Sequence, residues 1–139
     1  RDLARQIARD GEGATKLVSI EVAGAASEEE ARQVGLSVAN SSLVKTAIFG
    51  RDPNWGRILC AMGYAGVPID PQEVAVYLCG TQIYGAGSGL PFDHKALVEA
   101  MSAADILISI DLASGNVRAE IFTCDLSYDY VRINAEYTT

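Results

Sequence analysis

The residues with the most chemical reach fall in three short segments. Asp10-Gly11-Glu12-Gly13-Ala14-Thr15-Lys16 sets a carboxylate between two glycines. Glycines let the backbone approach a ligand closely and take conformations closed to other residues. A carboxylate held there can grip an ammonium group through a charge-assisted hydrogen bond; the other reading is a turn with a solvated glutamate, and the residues alone leave both open. Arg51-Asp52-Pro53-Asn54-Trp55-Gly56-Arg57 places the single tryptophan between two arginines, either near a site or as a plain core anchor beside a helix start. The tail, Asn134-Ala135-Glu136-Tyr137-Thr138-Thr139, closes on short polar residues where a frayed terminus is the usual expectation.

Other patterns promise less. His94 is the only histidine, so any Ser-His-Asp or Cys-His site would have to use it, and Asp93 beside it reads better as a helix cap. Tyr84-Gly85-Ala86-Gly87-Ser88-Gly89 has GxGxG rather than GxGxxG spacing and runs into Pro91, which argues against a dinucleotide loop. The 11–16 segment has the wrong spacing for a P-loop, and Glu12 would repel phosphate. Cys60, Cys79 and Cys124 are widely spaced, without a CxxC pair or a nearby histidine, so they read as reduced core residues rather than a zinc site. A reducing compartment suits them.

The elements that must position these residues can be read from periodicity. Leu3 and Ile7 suggest a helix already under way at Arg1, so the chain reads as a piece of something longer. Val18, Ile20 and Val22 alternate with polar residues as a half-buried strand. Ser27 and Glu30 form a capping-box pattern ahead of a helix whose Ala31, Val34 and Val38 share one face. Residues 42–49 form a short helix ending at Gly50. Asp52-Pro53 then predicts a helix start with the carboxylate as cap, and the helix from Asn54 to about Tyr64 is expected to be buried on most sides. Strands are predicted at 74–78 and 81–85, a loop at Gly85–Gly89, and a helix from Asp93 to about Ser102. Ile106, Ile108, Ile110 and Leu112 alternate, Ser114-Gly115-Asn116 turns, and Val117, Ala119 and Ile121 alternate back, which predicts a hairpin. A last helix is expected from about Leu126, carrying Tyr130 and Ile133. The order is α+β, with helices packed on a mixed β-sheet.

Composition bounds the function. The chain has 139 residues, 49% of them apolar, with 18 acids against 11 bases and a formal charge of −7. That suits one compact domain and argues against disorder. The acidic balance disfavours binding to nucleic acid. The longest apolar run, Ile58 to Ile69, is broken by Gly63, Gly66 and Pro68, so no membrane span is expected.

Three segments together carry a resemblance. Asp10–Lys16, the stretch Leu43-Val-Lys-Thr-Ala-Ile-Phe-Gly-Arg-Asp-Pro-Asn-Trp-Gly-Arg-Ile58, and Cys124-Asp-Leu-Ser-Tyr-Asp-Tyr-Val-Arg-Ile-Asn-Ala-Glu-Tyr-Thr-Thr139 resemble the ornithine acetyltransferase family, the glutamate N-acetyltransferases of arginine biosynthesis. The resemblance covers essentially the whole chain. It implies a precursor that cuts itself before a threonine, which becomes the N-terminus of a β chain and the nucleophile that moves acetyl from N-acetylornithine to glutamate. It further implies that residues 1–139 are the C-terminal portion of that β chain, part of a larger self-processed α/β enzyme, with the nucleophile upstream. Thr15 and Thr46 are internal and lack a free α-amine, so this piece alone is expected to be inactive.

By matching position, the resemblance makes Glu12, Asn134 and Thr139 substrate-binding residues. Glu12 suits an ammonium such as ornithine's; Asn134 and Thr139 offer neutral hydrogen-bonding groups to a carboxylate or amide. The resemblance also implies no metal and no cofactor, with acetyl-CoA as a second acetyl donor in some members. The expected partners are the α chain and the upstream β segment, in a heterotetramer of two α and two β chains. The enzyme would be cytoplasmic, or mitochondrial in a eukaryote. Two further classes remain to weigh against it: a self-processed aminopeptidase or amidase, and a non-catalytic amino-acid-binding domain.

Overall fold

A computed structural model describes residues 16–125 and 132–134. One seven-stranded sheet organises them, in the order β4-β3-β2-β5-β1-β6-β7. Its strands are β1 (Leu17–Ala25), β2 (Ala75–Leu78), β3 (Thr81–Gly85), β4 (Ser88–Gly89), β5 (Asp105–Asp111), β6 (Val117–Cys124) and β7 (Arg132–Asn134). The helices are α1 (Glu28–Ala39), α2 (Ser42–Phe49), α3 (Trp55–Gly63) and α4 (His94–Ala100). The sheet is mixed: β1 runs parallel to β5 and antiparallel to β6. Helices on a mixed sheet are what the sequence predicts.

Local chemistry explains where the helices start. Ser27 Oγ accepts from Glu30 N–H at 3.1 Å at the head of α1, Ser41 Oγ accepts from Val44 N–H at the head of α2, and Asp93 Oδ1 accepts from Ala96 N–H at the head of α4. Each satisfies a backbone donor that the first helical turn cannot. The cap of α3 differs from expectation. Asn54, rather than Asp52, accepts from Arg57 N–H at 3.0 Å, so the helix begins at Trp55 and Pro53 lies ahead of it.

One continuous core fills the space between sheet and helices. Val18, Ile20, Val22, Ile106, Ile108, Ile110 and Ile121 supply the sheet side; Ala31, Val34, Val38, Ile48 and Met62 supply the helix side. Gly35 of α1 sits against β6, where an added Cβ would run into Ile121 Cδ1. Leu17 and Phe122 form a separate buried pair. By register they alternate with Val18 and Ile121, which places them on the other face of the sheet.

Four expectations need correction. The predicted hairpin of β5 and β6 does not exist: β1 lies between them, paired with both. The connection straddles the end of β1, with Leu112 N–H donating to Ala23 O and Ser114 N–H to Gly24 O. Gly115 passes so close over Ala25 O that a Cβ would collide with it. The turn residues therefore serve a crossing rather than a tight reversal. The predicted last helix also fails at Ile133, which lies in β7 opposite Ile121; pairing along the free edge of β6 overrides local helical pattern. Leu126 and Tyr130 lie outside the described residues, as does the expected helix at Leu3 and Ile7. Finally, α3 buries only Ile58, Ala61 and Met62. Cys60, on another side of that helix, is exposed, Cys79 is half-buried, and only Cys124 is buried, so a shared core role for the cysteines does not hold.

Candidate functional site

The edge of the sheet where β1, β6 and β7 run together carries an unusual concentration of buried polar groups. Glu120 is 4% exposed, Thr123 2% and Asp125 2%. Asp125 follows β6 directly, and its Oδ1 accepts from Lys16 N–H at 3.0 Å, tying the residue before β1 to the end of β6. Lys16 Nζ donates to Ala103 O at 2.9 Å, which fixes the same entry point to the start of β5. Lys16 therefore enters the fold beside Asp125. Asn134 registers opposite Glu120 in β7, four positions along β6 from Cys124, the partner of Leu17.

Of the residues singled out from sequence, Glu12 and Thr139 lie outside the described residues. Asn134 is placed by its backbone alone, in a strand rather than after a helix. His94 is exposed at the head of α4 and stacks on Phe92 with ring centroids 6.1 Å apart. Among the described residues, no three His, Cys, Asp or Glu side chains gather to hold a metal ion.

The 51–57 motif is a clasp. Arg51 takes a φ of 55°, reversing the chain after α2, and Asp52 N–H returns to Ala47 O at 2.8 Å. Asn54 both caps α3 and donates from Nδ2 to Asp52 Oδ2 at 3.1 Å. Trp55 lies over the β3–β4 hairpin: its ring packs 5.2 Å from that of Tyr84 and rests on Gly89, where a Cβ would fall 2.6 Å from Cε2. Tyr84 in turn donates to Pro71 O at 2.8 Å. Arg57 reaches back to Leu43 O at 3.0 Å, joining α3 to the head of α2. The motif thus locks two helices to a hairpin, and among the described residues each of these side chains has a structural partner except Arg51.

Beside the clasp lies an open groove of about 330 Å³ between α3 and the α1–α2 junction. Arg57, Cys60, Ala61 and Tyr64 line it at helical spacing from α3; Ser37, Asn40, Ser41, Ser42 and Leu43 line the other side. The lining holds one guanidinium and no carboxylate.

The comparisons with known proteins bear on these segments together. The model of the ArgJ family matches residues 1–139. The chain belongs to the ArgJ family. Among curated relatives, the arginine biosynthesis bifunctional protein ArgJ of Thermus thermophilus is 51% identical over 139 residues, and that of Oceanobacillus iheyensis 47% over 138. These alignments take in 100% and 99% of this chain but 36% and 34% of the relatives, so the chain spans about a third of their length. The crystal structure of arginine biosynthesis bifunctional protein argJ from Bacillus halodurans superposes with a TM-score of 0.87 at 42% identity, covering 93% of this chain and 61% of that one. Such a likeness confirms the ArgJ fold for the described residues.

Sequence reasoning missed the buried acids of the sheet edge. Alternation places Glu120 opposite in facing to Ala119 and Ile121, the ordinary position for a solvated residue. The available signal is Ile121-Phe122, two large apolar residues at successive positions, which marks a strand covered on both faces. The groove left no sequence signal, because its lining comes from three elements that meet only in the fold.

Proposed function

We propose that this chain is the substrate-binding portion of an acetyltransferase that moves acetyl from N-acetylornithine to glutamate in arginine biosynthesis. The observation that carries the reading is the match of the ArgJ family to residues 1–139, with relatives near 50% identity named for arginine biosynthesis. The nucleophile in this reading is the hydroxyl of an N-terminal threonine carried outside this chain. It attacks the acetyl carbonyl, its proton passes to its own α-amine, the amide C–N bond breaks and ornithine leaves with that proton. The amine of glutamate then attacks the acyl ester, the C–O bond breaks, and N-acetylglutamate departs as the threonine recovers its proton. Splitting the transfer into two steps through an acyl-enzyme lowers each barrier.

The chain's own part is recognition. Glu12 pairs with the ammonium of ornithine, while Asn134 and Thr139 hold neutral polar groups of the substrate. The described structure supports this in one respect: Lys16, which follows the Glu12 segment in sequence, is tied to Asp125, at the end of the strand that pairs with β7 and Asn134. In this reading the precursor is processed into two chains. Acetyl-CoA is a further donor in this reading, and the working unit is a heterotetramer of two α and two β chains in the cytoplasm.

The test is Glu12→Ala in the complete enzyme. A kcat/KM for N-acetylornithine lower by about 1.5–3 kcal/mol, the range for a hydrogen bond to a charged group, supports the role of Glu12; an unchanged value refutes it. Product analysis tests the reaction itself, since transfer gives N-acetylglutamate and an amidase would give free acetate.

A further inference from the structure

We propose that Glu120 is a positioning residue for Asn134, holding the asparagine amide in the one orientation that meets the substrate. The proposal rests on the reading of Asn134 as a substrate-binding residue and names what aligns it. Asn134 and Glu120 are directly opposite in the β6–β7 pair. Residues so placed share a face of the sheet, with Cβ atoms about 4.5–5.5 Å apart. On the other side of β6, Glu120 registers with Glu21 of β1. The row Glu21–Glu120–Asn134 therefore crosses three neighbouring strands on the face away from the helices.

Two costs mark the Glu120 carboxylate as kept for a purpose. It is 4% exposed, on the same face as Phe122 at 1%. Taking a carboxylate out of water is costly, and an apolar residue would fill the place without that cost. Like charges directly opposite each other also repel, and Glu21 stands opposite. Arg118 Nη2 approaches Glu21 Oε2 at 3.7 Å, where both side chains reach water. Glu21 thus has its counter-charge at the solvent, and Glu120 is the member of the pair kept inside.

An ionised carboxylate has a capacity that an apolar filler or an amide lacks: it accepts hydrogen bonds and donates none. An asparagine beside it can meet it only through the amide NH2, which fixes where the carbonyl oxygen and the second N–H are offered. With an apolar neighbour or an amide in its place, both flips of the asparagine are open. Only one of them matches the donors and acceptors of the substrate.

The test is steady-state kinetics of the complete enzyme with N-acetylornithine, at saturating glutamate. Glu120→Leu removes the acceptor and should raise KM about 10-fold, the equivalent of one net hydrogen bond, with kcat held within about twofold. Glu120→Gln keeps the shape but accepts either flip, so about half of the molecules are competent and KM should rise about twofold. A merely structural role gives the opposite split, since fewer folded molecules lower the apparent kcat and leave KM alone. Asn134→Ala should raise KM by itself, and adding either Glu120 variant to it should raise KM no further. An unchanged KM in the Glu120 variants overturns the proposal. So does a fall in kcat alone, or an undiminished effect on KM in the Asn134→Ala background. Should Glu120→Leu fail to fold, Glu120→Gln decides by the same criteria. If Asn134→Ala itself leaves KM unchanged, the substrate role of Asn134 falls and takes the proposal with it; a raised KM there, with none from Glu120, refutes the proposal alone.

Discussion

Substituting Gly89→Ala tests the clasp at its tightest point. The new Cβ would lie 2.6 Å from Trp55 Cε2 and 2.8 Å from Cζ2, with Nε1 nearer still. Ordinary carbon–carbon contacts are ~3.5–4 Å, so the indole must retreat by about 1 Å. It has little room, because Tyr84 packs 5.2 Å from its ring and Gly89 itself is paired with Tyr84 in the hairpin. Overpacking of this kind costs about 1–3 kcal/mol. Against it stands a gain of about 0.4–1 kcal/mol from replacing glycine in the unfolded chain. The net expectation is a loss of about 1–2 kcal/mol, or a urea midpoint lower by about 1 M at an m-value of ~1–2 kcal/mol/M. Trp55→Leu removes the obstructing ring, so Gly89→Ala in that background should be neutral or slightly stabilising. Far-ultraviolet circular dichroism follows all four proteins without relying on the tryptophan. A coupling energy of about 1–2 kcal/mol supports the clasp. An equal cost of Gly89→Ala in both backgrounds refutes it, and points to the β4 backbone rather than the indole.

Three other outcomes follow from the structure. Asn54→Ala removes the α3 cap and its bond to Asp52, and should lower stability by about 1 kcal/mol in the same urea titration. Gly24→Ala forces a φ of +69° on a residue whose Cβ would meet Asp111 Oδ1 and lie 2.9 Å from Ala113 N; the expected loss exceeds the ~1–2 kcal/mol of the left-handed backbone alone, and a smaller loss argues against the crossing geometry. Burial raises the Cys79 thiol above its ordinary value, outweighing the opposing pulls of the Leu107 backbone bond and the Lys16 charge. The unfolded chain then ionises first as pH rises. Its contribution to stability is complete below the ordinary thiol range and falls away above it, so Cys79→Ala should flatten the alkaline decline of the urea midpoint.

Much of the fold is legible from periodicity and caps, because those depend on neighbours in sequence. The strand from Leu17, the helix after Ser27, the short helix ending at Gly50 and the strand at 81–85 all follow from local pattern. Adjacency does not. Ile106–Leu112 and Val117–Ile121 each alternate as strands, and nothing in either says that β1 will lie between them. That arrangement depends on backbone bonds from Leu112 and Ser114 to Ala23 and Gly24, some 90 residues away in sequence. Ile133 fails for the same reason, since its partner is Ile121 rather than a local turn. Of the candidate site, the 51–57 segment stood out by composition, but its structural role emerges only when Gly89 and Tyr84 arrive beneath Trp55. Asn134 has a register and no described side chain, and Glu12 and Thr139 lie outside the described residues, so their roles still rest on family membership.

The central position of β1 has a consequence for how the protein is made. Leu17 pairs with Asp105 on one side and Cys124 on the other, so the strand synthesised first among those described is completed by those synthesised late. At the ~5–20 residues per second of translation, β1 waits several seconds or more for either neighbour to leave the ribosome. During that interval Leu17–Ala25 is an apolar strand with two open edges, the form most apt to pair with another nascent chain. Helix α1 follows within three residues of β1 and packs on its apolar face, and so can shield the strand's side chains early. The edges stay open until β5 and β6 arrive, which makes yield during synthesis depend more on the speed of the last third of the chain than on the stability of the finished sheet.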